Sequence, residues 1–313
     1  MKAEDAVECL ERNGYRASCL PFSRTADVRA DLEGLLSSGA LDREVYELYL
    51  KDFGWTRPSD FQNAASVIVV SLAQPMLRTY FTVNGQRIGA LIPPTYAGSK
   101  KMIDEAKRKL DAFAPGHRFE FVRLPMKTLA TRSGLARYGR NNITYVDGFG
   151  SFQRLTAFLT DLECTSDRWQ EKRMLDRCEK CTTCLKVCPT RSITADRFLI
   201  HAETCLTFLN ELPADRPFPP YVKSEMHNAI VGCMVCQRKC PEDRKFLGSI
   251  EERPGFDEAE TDYLLKGDFS NKEWAKEMEQ KLAIVGIDLS IFPRNLAALL
   301  ESERFEEPMG IPG

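Results

Sequence analysis

Residues 178–189 read CEKCTTCLKVCP. The spacing is C-x2-C-x2-C-x3-C-P. In that pattern three close thiols wrap one cuboidal iron–sulfide cluster, and the fourth, ahead of a proline, points away to another. A second half-motif supplies the complement: residues 232–241 read GCMVCQRKCP, spaced C-x2-C-x3-C-P. By the crossing rule Cys240 completes the set of Cys178, Cys181 and Cys184. Cys188, Cys233 and Cys236 then lack a fourth ligand, and Cys205, in HAETCLTFLN between the motifs, is the candidate. The reading is eight thiolates for two [4Fe-4S] clusters. A zinc ribbon uses two C-x2-C pairs and four ligands, which leaves half of these cysteines without a purpose. Without Cys205 the second cluster would be three-iron or open to an exogenous ligand.

The remaining three of the 11 cysteines, Cys9, Cys19 and Cys164, stand alone and read as small buried hydrophobes. Across 313 residues, 43 % apolar and 28 % charged composition is that of a soluble globular chain, not a disordered, collagenous or membrane-embedded one. A net charge of −2 argues against polyanion binding by the chain as a whole. The start, MKAEDAVECLERNG, has no apolar signal region, and no window reaches the ~18 apolar residues of a membrane helix. The expected location is the cytoplasm, without a membrane partner, where clustered thiols favour metal over disulfides.

Three parts are expected: an α/β part over residues 1–165, the cluster part over 166–250, and an acidic linker with C-terminal helices over 251–313. In the first part, Ala6 and Leu10 predict a helix closed by Asn13–Gly14. Tyr15–Phe22 reads as a strand, and Asp27–Ser37 and Asp42–Lys51 as helices opened by carboxylates. Ser66–Ala73, SVIVVSLA, is a continuous apolar run, the pattern of a strand buried on both faces. After the break at Pro93–Pro94, Ser99–Phe113 sets Met102, Ile103, Ala106, Leu110 and Phe113 on one side of a helix. Phe119–Leu124 reads as a strand. Ile143–Val146 and Phe152–Leu159 read as two more, joined by the glycine turn Gly148–Gly150. Residues 165–250 show little apolar periodicity, so bound metal is expected to hold a thin core. Glu251–Asp262 is expected to be an exposed linker before helices at Asn271–Val285 and Ser290–Glu303. Residues 251–313 carry 15 acids and 7 bases.

The cysteine arrangement, with Cys205 ahead of the second motif, resembles that of epoxyqueuosine reductase, an enzyme of tRNA queuosine biosynthesis. Upstream, residues 129–162 read LATRSGLARYGRNNITYVDGFGSFQRLTAFLTDL and resemble a stretch of the same family. The likeness lies in Ala130, Gly134 and Leu135 at a helix end, Gly139 before the basic Arg140, and Gly150–Ser151 turning into a strand. It covers roughly residues 60–245. The resemblance implies an α/β nitroreductase-like sheet domain, then a ferredoxin-like two-[4Fe-4S] domain and a short C-terminal helical segment. Reductive dehalogenases share that architecture. It also implies that the clusters pass single electrons to a base-off cobalamin, whose Co(I) state does the reductive chemistry. In keeping with this, the Asp-x-His-x-x-Gly signature of a lower axial histidine is absent, and His117, His201 and His227 stand in no such context. Arg132, Gly139, Arg140 and Asn141 are the expected cofactor-binding residues. The family's proton donor is an Asp. An ungapped comparison places Glu120 there and a gapped one Arg123 or Leu124, so no catalytic residue is assigned.

Three function classes follow. The first is a corrinoid-dependent iron–sulfur reductase, fed by a donor such as ferredoxin or flavodoxin and acting on a small molecule or a corrinoid protein. The second is a ferredoxin-type relay with no substrate of its own. The third is a tRNA epoxyqueuosine reductase, which is weakened because residues 251–313 stand where the family carries a helical-repeat extension that helps hold tRNA. Residues 97–141 hold 11 bases and 4 acids. Such a patch could attract a corrinoid phosphate, a nucleic acid or an acidic partner, or could be the solvated face of the 99–113 helix.

Overall fold

The computed structural model describes residues 1–97, 99–282 and 288–302. From the N-terminus run α1 (Ala3–Arg12), β1 (Arg16–Pro21), α2 (Arg24–Ser37), α3 (Arg43–Tyr49) and β2 (Ser66–Ala73). There follow β3 (Met76–Val83), β4 (Gln86–Ile92), α4 (Ser99–Phe113), β5 (Phe119–Phe121), α5 (Met126–Arg132), β6 (Ala136–Tyr138), β7 (Thr144–Val146) and β8 (Gln153–Thr160). The cysteine-bearing stretch has only short helices: α6 (Thr183–Val187), α7 (Leu206–Glu211) and α8 (Val235–Arg238). Then come β9 (Ile250–Glu252), α9 (Glu258–Lys266), α10 (Lys272–Leu282) and α11 (Phe292–Leu300). None of the described helices is long and apolar enough to cross a membrane.

The chain forms two compact units. The first comprises residues 1–74, 99–182 and 193–202. Its sheet is antiparallel, in the order β1-β2-β8-β5. The run SVIVVSLA forms β2, flanked along its length by β8 and over most of it by β1. Its alternate residues serve opposite cores. Ile68 and Val70 pack with Ala6 and Leu10 of α1 and Ala106 and Leu110 of α4. Val67 and Val69 pack with Val28 of α2 and Leu129 and Ala130 of α5. Each fully buried aliphatic side chain contributes roughly 1.5–3 kcal/mol, so this one strand anchors both faces. α1 stops where Gly14 takes φ +86°, and α3 starts where the Asp42 carboxylate accepts from the Val45 N–H at 3.0 Å.

The expected strands Ile143–Val146 and Phe152–Leu159 are β7 and β8, joined by the glycine turn but not paired with each other. β7 pairs with β6, while β8 pairs with β2 and β5. The glycines still turn the chain: Gly148 and Gly150 have φ of +84° and +58°, and Val146 meets Gly150 in an isolated bridge.

The second unit comprises, among the described residues, 75–97, 183–192, 203–282 and 288–302. Its sheet runs β4-β3-β9. Asn84 and Gly85, with φ of +50° and +74°, make the tight turn between β3 and β4. The Glu251–Asp262 stretch, expected as an exposed linker, is built in. β9 pairs parallel with β3, Phe256 is 2 % exposed and stacks on Phe81 at 4.9 Å, and Asp257 with Glu260 forms a capping box at the start of α9. One apolar side chain in an acidic run decides the matter, because Phe256 has a core to enter. The cysteine stretch leans on a core supplied mostly from before and after it: its Ile230 and Val231 join Phe81, Ile92, Phe256, Phe292 and Leu296. The helix expected over Asn271–Val285 is α10, and residues 283–285 lie outside the described residues. That expected over Ser290–Glu303 is α11 with a preceding turn, and Glu303 lies outside them.

Candidate iron–sulfur centre

The first unit holds the opening of the first motif. Residues just before it extend the small β6–β7 sheet: the Tyr138 N–H donates to Arg173 O at 2.9 Å and the Leu175 N–H to Tyr138 O at 2.8 Å. Cys178 sits in the turn Asp176–Glu179, its N–H donating to Leu175 O at 2.8 Å. The β6–β7 loop then reaches over. Arg140 Nε donates to the carbonyls of Cys178 and Cys181, both at 3.2 Å, and Nη2 donates to Cys178 O and, at 3.4 Å, to Glu179 O. A fork of donors on a fixed cation pins the loop that carries two candidate ligands.

The β6–β7 loop itself is tightly specified. Asn141 Nδ2 donates to the Tyr145 hydroxyl at 3.1 Å, and Asn141 Oδ1 accepts from the Ile143 N–H at 3.3 Å. A side chain at Gly139 would collide with Asn141 and Tyr145. Lys127 Nζ donates to Asn142 O at 3.1 Å and supports that residue's left-handed φ of +58°. Arg132 is 8 % exposed and bidentate on Asp31 at 2.8 and 2.9 Å, with Glu171 at 3.1 Å and the Trp169 ring beneath it. Burial raises the Asp31 carboxyl, but Arg132 and Lys172 outweigh it and hold it below the usual range. The four residues expected at a cofactor are thus committed within the protein: Arg132 to Asp31, Arg140 to the cysteine loop, Asn141 to Tyr145, and Gly139 to the close packing of that loop.

The second unit carries Cys184, Cys188, Cys205, Cys233, Cys236 and Cys240. Cys184 lies on α6, and the Cys188 N–H donates back to Cys184 O at 3.1 Å as that helix ends. Cys205 is the N-cap residue of α7, and Cys236 lies on α8. Buried amides link these pieces. Asn295 Nδ2 donates to Asn210 O at 2.8 Å and Ile230 O at 3.2 Å, and Asn210 Nδ2 donates to Gly232 O at 2.7 Å. Gly232 has φ +68°, and a Cβ there would stand 2.7 Å from the Tyr96 ring, so only glycine fits before Cys233. A hydroxyl chain runs from Thr190 to Ser192 at 2.7 Å and on to Thr204 at 3.0 Å, joining the segments after Cys188 and before Cys205.

Cys188, Cys205 and Cys233 come together. Cys188 acts electrostatically on Cys205, and both act on Cys233. Burial pushes the Cys233 thiol up to about 12 and also raises Cys205. Buried neighbouring thiols can ionise together only beside a cation, and a soft iron centre suits such donors. Asn228 Nδ2 donates to Cys233 Sγ at 3.3 Å, the kind of sulfur contact that tunes a cluster. The set of Cys178, Cys181, Cys184 and Cys240 rests on the spacing.

Other expected residues lie elsewhere. Glu120 on β5 pairs with Arg118. His117 pairs with Asp161 at 3.1 Å. His227 is 1 % exposed against Phe218, and burial pushes its pKa down to about 4. Much of the basic stretch is engaged: Lys107 with Asp111, Arg118 with Asp60, Arg123 with Tyr49 O, and Arg137 with Asp176. Lys100, Lys101, Arg108 and Lys109 lie on the exposed face of α4. Sequence reasoning missed the roles of Asn210, Asn228 and Asn295, for which no local pattern gives a signal.

Residues 177–243 match the family of 4Fe-4S double cluster binding domains. An epoxyqueuosine reductase of Atelocyanobacterium thalassa is 32 % identical over 120 residues, 38 % of each chain. One of Cyclobacterium marinum is 33 % identical over 115 residues, 37 % of this chain and 36 % of that one. The matched stretch therefore spans well under half the length of these relatives. Solved structures extend the likeness in fold. The epoxyqueuosine reductase of Streptococcus thermophilus superposes with a TM-score of 0.64 at 17 % identity, over 96 % of this chain and 81 % of that one. An epoxyqueuosine reductase solved with an epoxyqueuosine-modified tyrosine tRNA stem loop gives 0.67 at 18 %, over 97 % and 82 %. The chain thus has the fold of those solved epoxyqueuosine reductases and, at residues 177–243, matches a double 4Fe-4S cluster binding domain.

Proposed function

We propose that the chain is an iron–sulfur reductase. It would move single electrons from a ferredoxin- or flavodoxin-type donor through two [4Fe-4S] clusters, with a base-off cobalamin as acceptor. One cluster would take Cys178, Cys181, Cys184 and Cys240, the other Cys188, Cys205, Cys233 and Cys236. The observation that carries the reading is the hold of Arg140 on the Cys178–Cys181 loop. That loop belongs to the same compact unit as the four-stranded sheet. A stand-alone electron carrier has no need to fasten its cluster loop to a separate α/β fold, so the fastening favours a reductase over a relay.

Bound in place, the clusters supply one-electron transfer. The chain's own part is to hold and tune them. The thiolates would hold the iron, Arg140 would set positive charge near an anionic cluster, and the Asn228 amide, which donates to the Cys233 sulfur, would favour the reduced form. The side chains of Arg132, Arg140 and Asn141 already serve protein partners. Cobalamin is proposed on the likeness to epoxyqueuosine reductase alone. A tRNA substrate is the lesser reading for this chain, since the basic stretch is largely engaged by its own carboxylates and carbonyls.

The test is anaerobic reconstitution with iron and sulfide, followed by titration with hydroxocobalamin read by absorbance and EPR. A base-off cobalt signal in cluster-loaded protein is expected. Intact clusters with no change in the cobalt spectrum would leave a relay protein. Tight, steeply salt-dependent tRNA binding would instead move the reading to the tRNA enzyme.

A further inference from the structure

Cys19 and Cys164 read in the sequence as isolated small hydrophobes, yet the fold brings their sulfurs to 3.2 Å. Cys19 lies on β1, is 2 % exposed and pairs with Ile68 of β2. Cys164 follows the end of β8 and is half-buried. The two are 145 residues apart, so no local spacing announces them.

The distance discriminates between two uses of a thiol pair. Two sulfurs bound to one tetrahedral zinc, each ~2.3 Å from the metal, stand about 3.8 Å apart. A disulfide holds them at ~2.05 Å. The observed separation is closer than a shared zinc allows and within a small side-chain movement of a bond. Glu4 is the third group of the cluster, its carboxylate within 4.8 Å of both sulfurs. Its Oε1 is already occupied. It accepts from the Thr165 N–H at 2.9 Å, the Ser166 N–H at 2.7 Å and the Ser166 hydroxyl at 2.7 Å, so Glu4 fixes the turn that presents Cys164. Its Oε2 is buried without a hydrogen-bond partner, the one feature a metal would explain, and the test therefore counts metal.

We propose that Cys19 and Cys164 form a reversible dithiol–disulfide pair, with Cys164 the attacking thiol and Cys19 the resolving one. The Cys19 thiol beside it draws Cys164 below its ordinary range, while that same contact and burial raise Cys19. The more accessible sulfur is therefore the better nucleophile, and the buried one keeps its proton until needed. The oxidant is a low-molecular-weight disulfide. The Cys164 thiolate attacks one of its sulfurs, forming a mixed disulfide and expelling one thiolate. Cys19 then loses its proton and attacks Cys164 Sγ, expelling the second thiolate. In sum two protein thiols are oxidised by two electrons, and one small disulfide is reduced to two thiols. The product ties β1 to the chain leaving β8, across the β2 strand between them.

The test exposes the cluster-loaded full chain to oxidised glutathione, blocks remaining thiols by alkylation, and maps tryptic peptides by mass spectrometry. Residues 17–24, ASCLPFSR, and 155–168, LTAFLTDLECTSDR, each carry a single cysteine. The expected result is a cross-linked pair of these peptides that dithiothreitol reverses. Cys9→Ser should leave it unchanged, Cys164→Ser should abolish it, and Cys19→Ser should trap glutathione on Cys164. Recovery of both wild-type peptides singly alkylated, under conditions that oxidise free glutathione-reactive thiols, would overturn the proposal whether or not the variants fold. So would stoichiometric zinc that is lost on Cys164→Ser, which would make the pair a metal site.

Discussion

Arg140→Ala removes the cation that holds the first cysteine loop. Its Nε serves the Cys178 and Cys181 carbonyls at 3.2 Å each, and its Nη2 serves Cys178 and Glu179. Hydrogen bonds from a charged group are worth about 1.5–3 kcal/mol each. The guanidinium is partly solvated and shares acceptors, so roughly 3 kcal/mol for the set is a fair sum after screening. That is on the order of a hundredfold in the equilibrium that keeps the loop in its ligating form. The loss falls on one cluster. The assay is chelator-driven bleaching of the anaerobic, reconstituted protein, followed by visible absorbance. Native protein should lose its clusters slowly. Arg140→Ala should lose about half of its absorbance on the order of a hundred times faster and keep the other half. Arg140→Lys should fall between, because a lysine keeps the charge but lacks the fork. Native-like bleaching of Arg140→Ala in a single slow phase would refute the positioning role.

Three further outcomes are expected. Cys205→Ala should lower iron from about eight to about seven per chain and give a three-iron EPR signal; an unchanged iron count would remove Cys205 from the ligand set. Asn228→Leu deletes the 3.3 Å donor to Cys233 Sγ, and loss of about 1.5 kcal/mol favouring the reduced cluster should lower one midpoint potential by roughly 60 mV; two unmoved midpoints in a redox titration would count against that contact. His227 is buried beside Phe218, near Arg294 and Glu301, with its pKa pushed down to about 4. The unfolded chain takes up that proton near pH 6.5 while the folded chain refuses it until about pH 4, so stability should fall by up to about 3 kcal/mol as pH drops through that window. Urea unfolding of native chain and His227→Phe across it should show the native slope and a flatter variant; parallel curves would assign the acid loss to other groups.

The sequence made local regularities legible and left distant pairings hidden. SVIVVSLA announced β2 because a strand between two packed faces needs apolar residues at every position. Ser99–Phe113 announced α4 through its spacing. Asn84–Gly85 is a two-residue hairpin signal, and it makes the β3–β4 turn. Glu251–Asp262 misled because composition outvoted Phe256, whose burial depends on Phe81 far back in the chain. The cysteine motifs encode their ligand logic in spacing, so the candidate ligands could be named at once. Arg132 and Arg140 are expected at a cofactor because they lie in the stretch that resembles the family. Their partners are Asp31, 101 residues away, and backbone carbonyls, which no sequence displays. Cys19 and Cys164 were hidden for the same reason.

The central claim is a double-cluster reductase, and the most direct test is an iron and acid-labile sulfide count on anaerobically reconstituted protein, with EPR of the dithionite-reduced state. The account predicts about eight irons and eight sulfides per chain, with the broadened spectrum of two interacting reduced clusters. About four irons with a single isolated signal, or stoichiometric zinc in place of iron, would contradict it.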